Sequence, residues 1–189
     1  MGREGASPSP TARCGVVGAA LAAARLRWLF DNDSVPRPTR KTIRLAPAAY
    51  TEPGRPFSVT IGTSPRTEIF SDISFGLECV KLLREVRATN GLLTYAYCLM
   101  PDHVHLLSAM ASRAPISVAI GSWKSRCYQA RRNRGEAKRF WQRGFYDHAV
   151  RDDRDLTAAA LYVLENPVRA GLVKDFHDYP LCGSMEFSL

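Results

Sequence analysis

The run Leu92-Leu93-Thr94-Tyr95-Ala96-Tyr97-Cys98-Leu99-Met100-Pro101-Asp102-His103-Val104-His105-Leu106-Leu107-Ser108-Ala109-Met110 organises the whole chain. Residues 92–100 read as a strand rich in aromatic and apolar side chains. Pro101-Asp102 reads as a turn, and 103–110 as a second strand, so the two form an antiparallel pair. On a strand, residues two apart share a face, so His103 and His105 project together while Val104 and Leu106 project to the other side. Two adjacent imidazoles are a natural ligand pair for one divalent cation. Two histidines on a polar sheet face are the plainer alternative.

Upstream, Phe57-Ser58-Val59-Thr60-Ile61 alternates with period two and reads as a short strand. Asp72 can cap a helix with an apolar stripe of Ile73, Leu77, Val80 and Leu83, stopped at Asn90-Gly91. Downstream, Pro115 suits the first turn of a helix carrying Ile116, Ile120, Trp123 and Cys127 on one face, ended by Gly135. Phe145–Val150 reads as a fourth strand. Asp152 or Asp153 opens a last helix that runs to about Asn166, before Pro167. The order β-α-β-β-α-β plus a helix predicts an α+β, ferredoxin-like antiparallel sheet with two helices on one face.

The chain has 189 residues, enough for one domain of ordinary size. It is 46% hydrophobic and 23% charged, which excludes wholesale disorder and a membrane bundle. Its longest uncharged apolar run, Cys14–Ala24, is 11 residues, too short to span a bilayer. Five widely spaced cysteines without a CxxC pair argue against a disulfide framework or zinc knuckle and for a reducing, cytoplasmic setting. Residues 1–42 read as a variable, loosely ordered basic extension. They share features with a signal peptide, but Arg25 and Arg27 directly follow the apolar run.

The net charge of +8 is local. Arg113–Arg143 holds nine Lys or Arg against one acid, Glu136, so the rest of the chain nets zero. Such a block is the footprint of a polyanion partner, or else a solvated helix face. Trp123 reads as core on the apolar stripe, whereas Tyr128 and Trp141 are open as stacking surfaces.

On the last helix, Tyr162 and Asn166 are four apart and share a face, with Asp155 seven residues before Tyr162. A tyrosine beside an amide or carboxylate can act as a nucleophile at a metal-bound phosphodiester. It can equally pack half-buried with its hydroxyl wet.

The string from Ala96 to Leu107 resembles the HUH motif of single-tyrosine transposases. Phe140-Trp141-Gln142-Arg143-Gly144-Phe145-Tyr146-Asp147-His148 is similar to the branch called REP-associated tyrosine transposases. So are Tyr162-Val163-Leu164-Glu165-Asn166-Pro167-Val168-Arg169-Ala170-Gly171-Leu172-Val173 and, upstream, Arg66–Asp72. The resemblance covers about 43–175 and leaves 176–189 as a C-terminal tail. It implies a βαββαβ catalytic domain with the nucleophilic tyrosine on the trailing helix. It also implies a DNA endonuclease and strand transferase acting on single-stranded DNA beside hairpins. His103 and His105 then hold Mg²⁺ or Mn²⁺, Tyr162 forms a 5′-phosphotyrosine intermediate, and Asn166 completes the metal site. Two departures stand out. Asp102 occupies a position where the family often has Asn. Asn166 is shorter than the Gln of broader insertion-sequence relatives, which leaves Glu165 as an alternative ligand.

With that resemblance, Lys124, Arg126, Arg131, Arg132, Arg134 and Arg143 are candidate DNA contacts, joined by Arg40 and Lys41 from the extension. His148 is a further polar group on the fourth strand or a structural histidine, and Tyr146 and Tyr128 are runner-up nucleophiles. The competing readings are a domesticated, non-catalytic module that grips hairpin DNA or RNA, and an unrelated ferredoxin-like RNA-binding protein. Monomer and homodimer both remain open, and no membrane partner is expected.

Overall fold

The computed structural model describes residues 50–136, 138–150 and 153–187, the side chains of 153–155 excepted. The expected extension over 1–42, with Arg40 and Lys41, lies outside the described residues, as do Asp152 and the side chain of Asp155. The chain runs β1 (Phe57–Gly62), α1 (Ile73–Asn90), β2 (Leu92–Met100), β3 (His103–Met110), α2 (Ile116–Asn133), β4 (Tyr146–Ala149), α3 (Asp153–Leu164), α4 (Asn166–Arg169) and β5 (Cys182–Gly183). The sheet order is β4-β1-β3-β2-β5, with every neighbouring pair antiparallel. The first four strands form the expected ferredoxin-like sheet.

Local chemistry explains the boundaries. Asp72 caps α1 by accepting from the Phe75 N–H at 3.1 Å. Gly91 ends that helix in the left-handed region at φ 68°. Pro115 precedes α2 with extended backbone. The strand expected over 145–150 is shorter, with ladder pairing only over Tyr146–Ala149.

The predicted stripe of α1 is corrected. Val80 and Leu83 are buried, but Ile73 is 39% and Leu77 48% exposed. The buried face is Phe75, Gly76, Cys79, Val80, Leu83 and Val86. The reason lies in two long-range contacts. Phe75 stacks on Phe70 and meets the edge of Phe140, and a Cβ on Gly76 would stand 2.5 Å from Leu181 Cδ1. The bare backbone at 76 is where the C-terminal segment enters the core.

Register assigns the two sheet faces. Val59 and Ile61 stand opposite Leu106 and Val104, while Thr60 and Gly62 stand opposite His105 and His103. Val59, Ile61, Val104 and Leu106 are fully buried, closed over by α1 and α2. Those helices are joined by Trp123, whose Nε1 donates to the Cys79 carbonyl at 2.9 Å. The other face carries the histidines and is partly covered by α3 through Leu156, Ala160, Val163 and Leu164.

The segment after 175 is more than a tail. Phe176, Tyr179 and Leu181 are buried, and the Leu99 N–H donates to the Leu181 carbonyl at 2.9 Å. Glu186 then accepts from Arg87 at 2.7 and 2.9 Å and from the Thr94 N–H at 3.0 Å. β2 therefore has no open edge there.

Candidate active site

The histidine pair sits beside the tight turn of the β2–β3 hairpin, facing away from α1 and α2. His103 and His105 lie edge to face, with ring centroids 4.8 Å apart, and their Nε2 atoms are 3.0 Å apart. Each Nδ1 has its own partner. His103 Nδ1 meets Asp102 Oδ1 at 2.5 Å, and His105 Nδ1 meets Thr60 Oγ1 at 3.2 Å. The tautomer that donates from Nδ1 leaves both Nε2 lone pairs aimed at one region.

That donor set fits a divalent cation. At a metal–nitrogen distance of about 2.1 Å, two ligands at right angles stand about 3.0 Å apart, the separation found here. Backing of the distal ring nitrogen by a carboxylate or hydroxyl is the usual support of a metal-binding imidazole. Among the described residues, no cluster of three His, Cys, Asp or Glu is assembled to hold a metal.

Electrostatics reinforce the arrangement. Burial, then the nearby charges of His103 and Arg169, push His105 down to about 3. The ring is therefore neutral at ordinary pH, as a ligand must be. Burial raises the pKa of Asp102. Its hydrogen bonds with His103 and Arg66 and their charges outweigh that and hold it below the usual carboxylate value. Arg66, in the left-handed region at φ 62°, reaches Asp102 Oδ2 at 3.1 Å. Asp102 thus braces His103 and is itself braced.

Tyr162 lies near the end of α3 and is 37% exposed. Its ring stands perpendicular to that of His105, with centroids 6.5 Å apart. The runner-up tyrosines are elsewhere. Tyr146 is on the histidine face opposite Thr60, on an outer strand and 72% exposed. Tyr128 packs partly buried on α2. His148, also on the histidine face, stands opposite Ser58.

The end of α3 differs from a helix running to Asn166. The helix stops at Leu164 and α4 starts at Asn166. Pro167 has no N–H for the Val163 carbonyl. Asn166 Nδ2 supplies that bond at 3.1 Å and also donates to the Tyr162 carbonyl at 3.0 Å. The amide nitrogen of Asn166 is therefore committed to the helix end, and only its Oδ1 is left as a ligand atom. Glu165, the alternative ligand, is half-buried and lies within electrostatic reach of Cys182. The Cys182 thiol donates to the Leu164 carbonyl at 3.3 Å, and Cys98, burial and the Glu165 carboxylate push its pKa up.

Four of the nine cations in the basic block are engaged within the protein. Lys124 Nζ donates to the carbonyls of Gln142 and Gly144 at 2.8 and 2.9 Å, and burial pushes its pKa down. Arg126 pairs with Glu85 at 3.2 Å. Arg131 pairs with Glu136 and packs its guanidinium over Phe75 and Phe140. Arg134 binds Glu78 and Asp72 at 2.7 and 3.2 Å. Arg132 and Arg143 are exposed. Trp141 is tied inward. Its Nε1 donates to the Lys124 carbonyl at 3.0 Å, and its ring packs on Trp123 and Phe140.

Sequence reasoning missed Thr60, Arg66 and Arg169 as site residues. Thr60 was recoverable in principle, since it shares the period-two face of a strand that pairs with β3. Arg66 and Arg169 reach the site only through turns.

Comparison with known proteins places the chain among transposases. The family described as "Transposase IS200 like" matches residues 57–166. A curated relative from Haemophilus influenzae, described as a putative REP-associated tyrosine transposase, is 34% identical over 98 residues, covering 46% of this chain and 56% of the relative. A REP-associated tyrosine transposase from Escherichia coli is 27% identical over 88 residues, covering 45% of this chain and 50% of the relative. The chain thus spans about half the length of the curated relatives it matches. A solved structure of a REP-associated tyrosine transposase bound to a REP hairpin superposes with a TM-score of 0.61 at 22% identity, covering 76% of this chain and 82% of that one. That likeness supports the fold, and the two relatives bear out the resemblance carried by the motifs.

Proposed function

The chain belongs to the IS200-like transposase family, and from that premise we propose that it is a metal-dependent endonuclease and strand transferase for single-stranded DNA beside hairpins. The observation that carries this is the convergence of His103 and His105 Nε2 at 3.0 Å with the Tyr162 ring set against His105. A divalent ion, Mg²⁺ or Mn²⁺, would be held by His103 and His105, with Asn166 Oδ1 as a further donor. Two imidazole ligands favour Mn²⁺ over the harder Mg²⁺. When bound, such an ion polarises the scissile phosphate and offsets charge developing on it.

The protein's own groups do the rest. Asp102 and Thr60 hold the two imidazoles in the ligating tautomer. Tyr162 Oη attacks phosphorus and gives up its phenolic proton. The Tyr–O–P bond forms, the bond from phosphorus to the 3′-oxygen breaks, and that oxygen takes a proton. The products are a 5′-phosphotyrosine and a free 3′-hydroxyl. Attack by another strand's 3′-hydroxyl reverses the step, so joining needs no nucleotide cofactor. Exposed Arg132 and Arg143, with Arg40 and Lys41, are the cations best suited to phosphate contact. Lys124, Arg126, Arg131 and Arg134 already hold internal partners and are less suited to that contact.

The test is a denaturing gel with 5′- and 3′-labelled hairpin oligonucleotides from palindromes flanking the gene, in Mn²⁺ or EDTA, for wild type and Tyr162→Phe. The expected result is a covalent adduct that needs Mn²⁺, carries the 3′-side label and vanishes with Tyr162→Phe. Tight binding without adduct or cleavage across several hairpins would overturn catalysis and favour a non-catalytic hairpin-binding module.

A further inference from the structure

Arg169 lies seven residues after Tyr162, two turns on in sequence. In an unbroken helix the two would be about 10 Å apart along the axis. The break at Glu165 and the short α4 bring them together. The Arg169 guanidinium carbon lies 4.0 Å from the centroid of the Tyr162 ring. One of its terminal nitrogens donates to the Tyr162 carbonyl at 2.7 Å. The same Tyr162 ring stands perpendicular to His105, with centroids 6.5 Å apart, so the tyrosine lies between the guanidinium and the histidine pair's side of the sheet.

We propose that Arg169 is the positioning residue of the nucleophile: its guanidinium, anchored on the Tyr162 carbonyl, clamps the face of the Tyr162 ring and fixes the phenol beside the histidine pair. The inference rests on the reading of Tyr162 as nucleophile. A ring that is one-third exposed otherwise turns about two side-chain bonds and samples several directions. With His105 at its edge and Arg169 over its face, the ring keeps one plane. A cation over an aromatic face holds it with a directional attraction that a neutral side chain does not supply. Fixing a reacting group in its attack geometry is among the largest sources of rate enhancement. A purely structural role, in which Arg169 only satisfies a carbonyl at the end of α3, predicts a loss of stability and no effect on the ring.

Two measurements separate these. In single-turnover cleavage of a saturating hairpin with Mn²⁺, Arg169→Ala and Arg169→Gln should lower the rate about tenfold to a hundredfold. Hairpin affinity should stay within about twofold, and Arg169→Lys should recover part of the loss. Arg169→Gln keeps a donor for the carbonyl and removes the cation. In the free, metal-free protein, ¹⁹F NMR of 3-fluorotyrosine placed at 162 should give a resonance displaced from the free amino acid. Arg169→Gln should move it toward the free value.

An unchanged cleavage rate, a loss confined to hairpin affinity, or an unmoved ¹⁹F resonance would overturn the clamp while leaving the nuclease reading intact. If wild type forms no adduct, the nuclease reading fails on its own, and the ¹⁹F experiment still decides whether Arg169 orders the ring.

Discussion

Asp102 Oδ1 lies 2.5 Å from His103 Nδ1, while its other oxygen meets Arg66 at 3.1 Å. One carboxylate thus orients a candidate metal ligand and is itself held by a cation across the turn. Loss of such a brace typically lowers metal affinity about tenfold to a hundredfold. Asp102→Ala is expected to weaken Mn²⁺ binding by that factor, measured by titration calorimetry, with little change in melting temperature. Asp102→Asn keeps an acceptor for His103 Nδ1 and should fall between. Equal Mn²⁺ affinity in all three proteins would show that the carboxylate has no such role.

Stability should depend on pH through His105. Its folded pKa, about 3, lies below the 6.5 of an unfolded histidine. The unfolded chain therefore binds a proton first, and the stabilisation is fully present above pH 6.5 and is lost as pH falls toward 3. Asp102 is also depressed, but from 3.8, so its contribution fades only at lower pH. In EDTA, urea unfolding between about pH 6 and 4 should show stability dropping by up to about 1.4 kcal/mol per pH unit. His105→Gln should flatten that slope. A wild-type slope equal to that of the variant would refute the assignment.

The basic residues should separate by function. Arg132 and Arg143 are exposed, so replacing either with Ala should weaken hairpin binding and lower the salt slope by about one. Lys124 instead ties Gln142 and Gly144 to α2. Lys124→Met should reduce stability by about 1–3 kcal/mol, from two carbonyls losing a charged donor, with the salt slope unchanged. Fluorescence anisotropy across a KCl series together with urea unfolding would check this. A lowered slope for Lys124→Met would place that lysine on DNA.

Two glycines in helices should respond oppositely to Ala. A Cβ at Gly76 would meet Leu181 at 2.5 Å, whereas one at Gly121 meets nothing within 4 Å. Gly76→Ala should destabilise by about 1–3 kcal/mol through overpacking. Gly121→Ala should stabilise by up to about 1 kcal/mol through helix propensity. Thermal unfolding of the two variants reads this directly. A neutral Gly76→Ala would mean that Leu181 moves aside freely.

Much of the fold was legible in the chain because it depends on neighbours a few residues away. The apolar and aromatic runs on either side of the Pro101-Asp102 turn marked β2 and β3 at their observed bounds, and the two-residue spacing put His103 and His105 on one face. Asp72 and Gly91 marked the ends of α1, and the spacing of Ile116, Ile120, Trp123 and Cys127 marked the buried face of α2. The tyrosine helix was visible from an Asp at its start and from Pro167 at its end.

Other features were decided by contacts between residues far apart in sequence, which no local pattern encodes. The buried face of α1 turned on Leu181 arriving at Gly76, so Ile73 and Leu77 were left in solvent. The partner of His105 is Thr60, 45 residues earlier. Part of the basic block, which by charge alone reads as a surface for DNA, is held inside the protein: Arg126 and Arg134 on acids of α1, Arg131 on Glu136 and Lys124 on two backbone carbonyls. The charge of a side chain is written in the sequence, but its partner is chosen by packing. Arg169 shows this best. Pro167 breaks the helix for a local reason, and only the resulting turn in space lays that guanidinium on the ring of Tyr162.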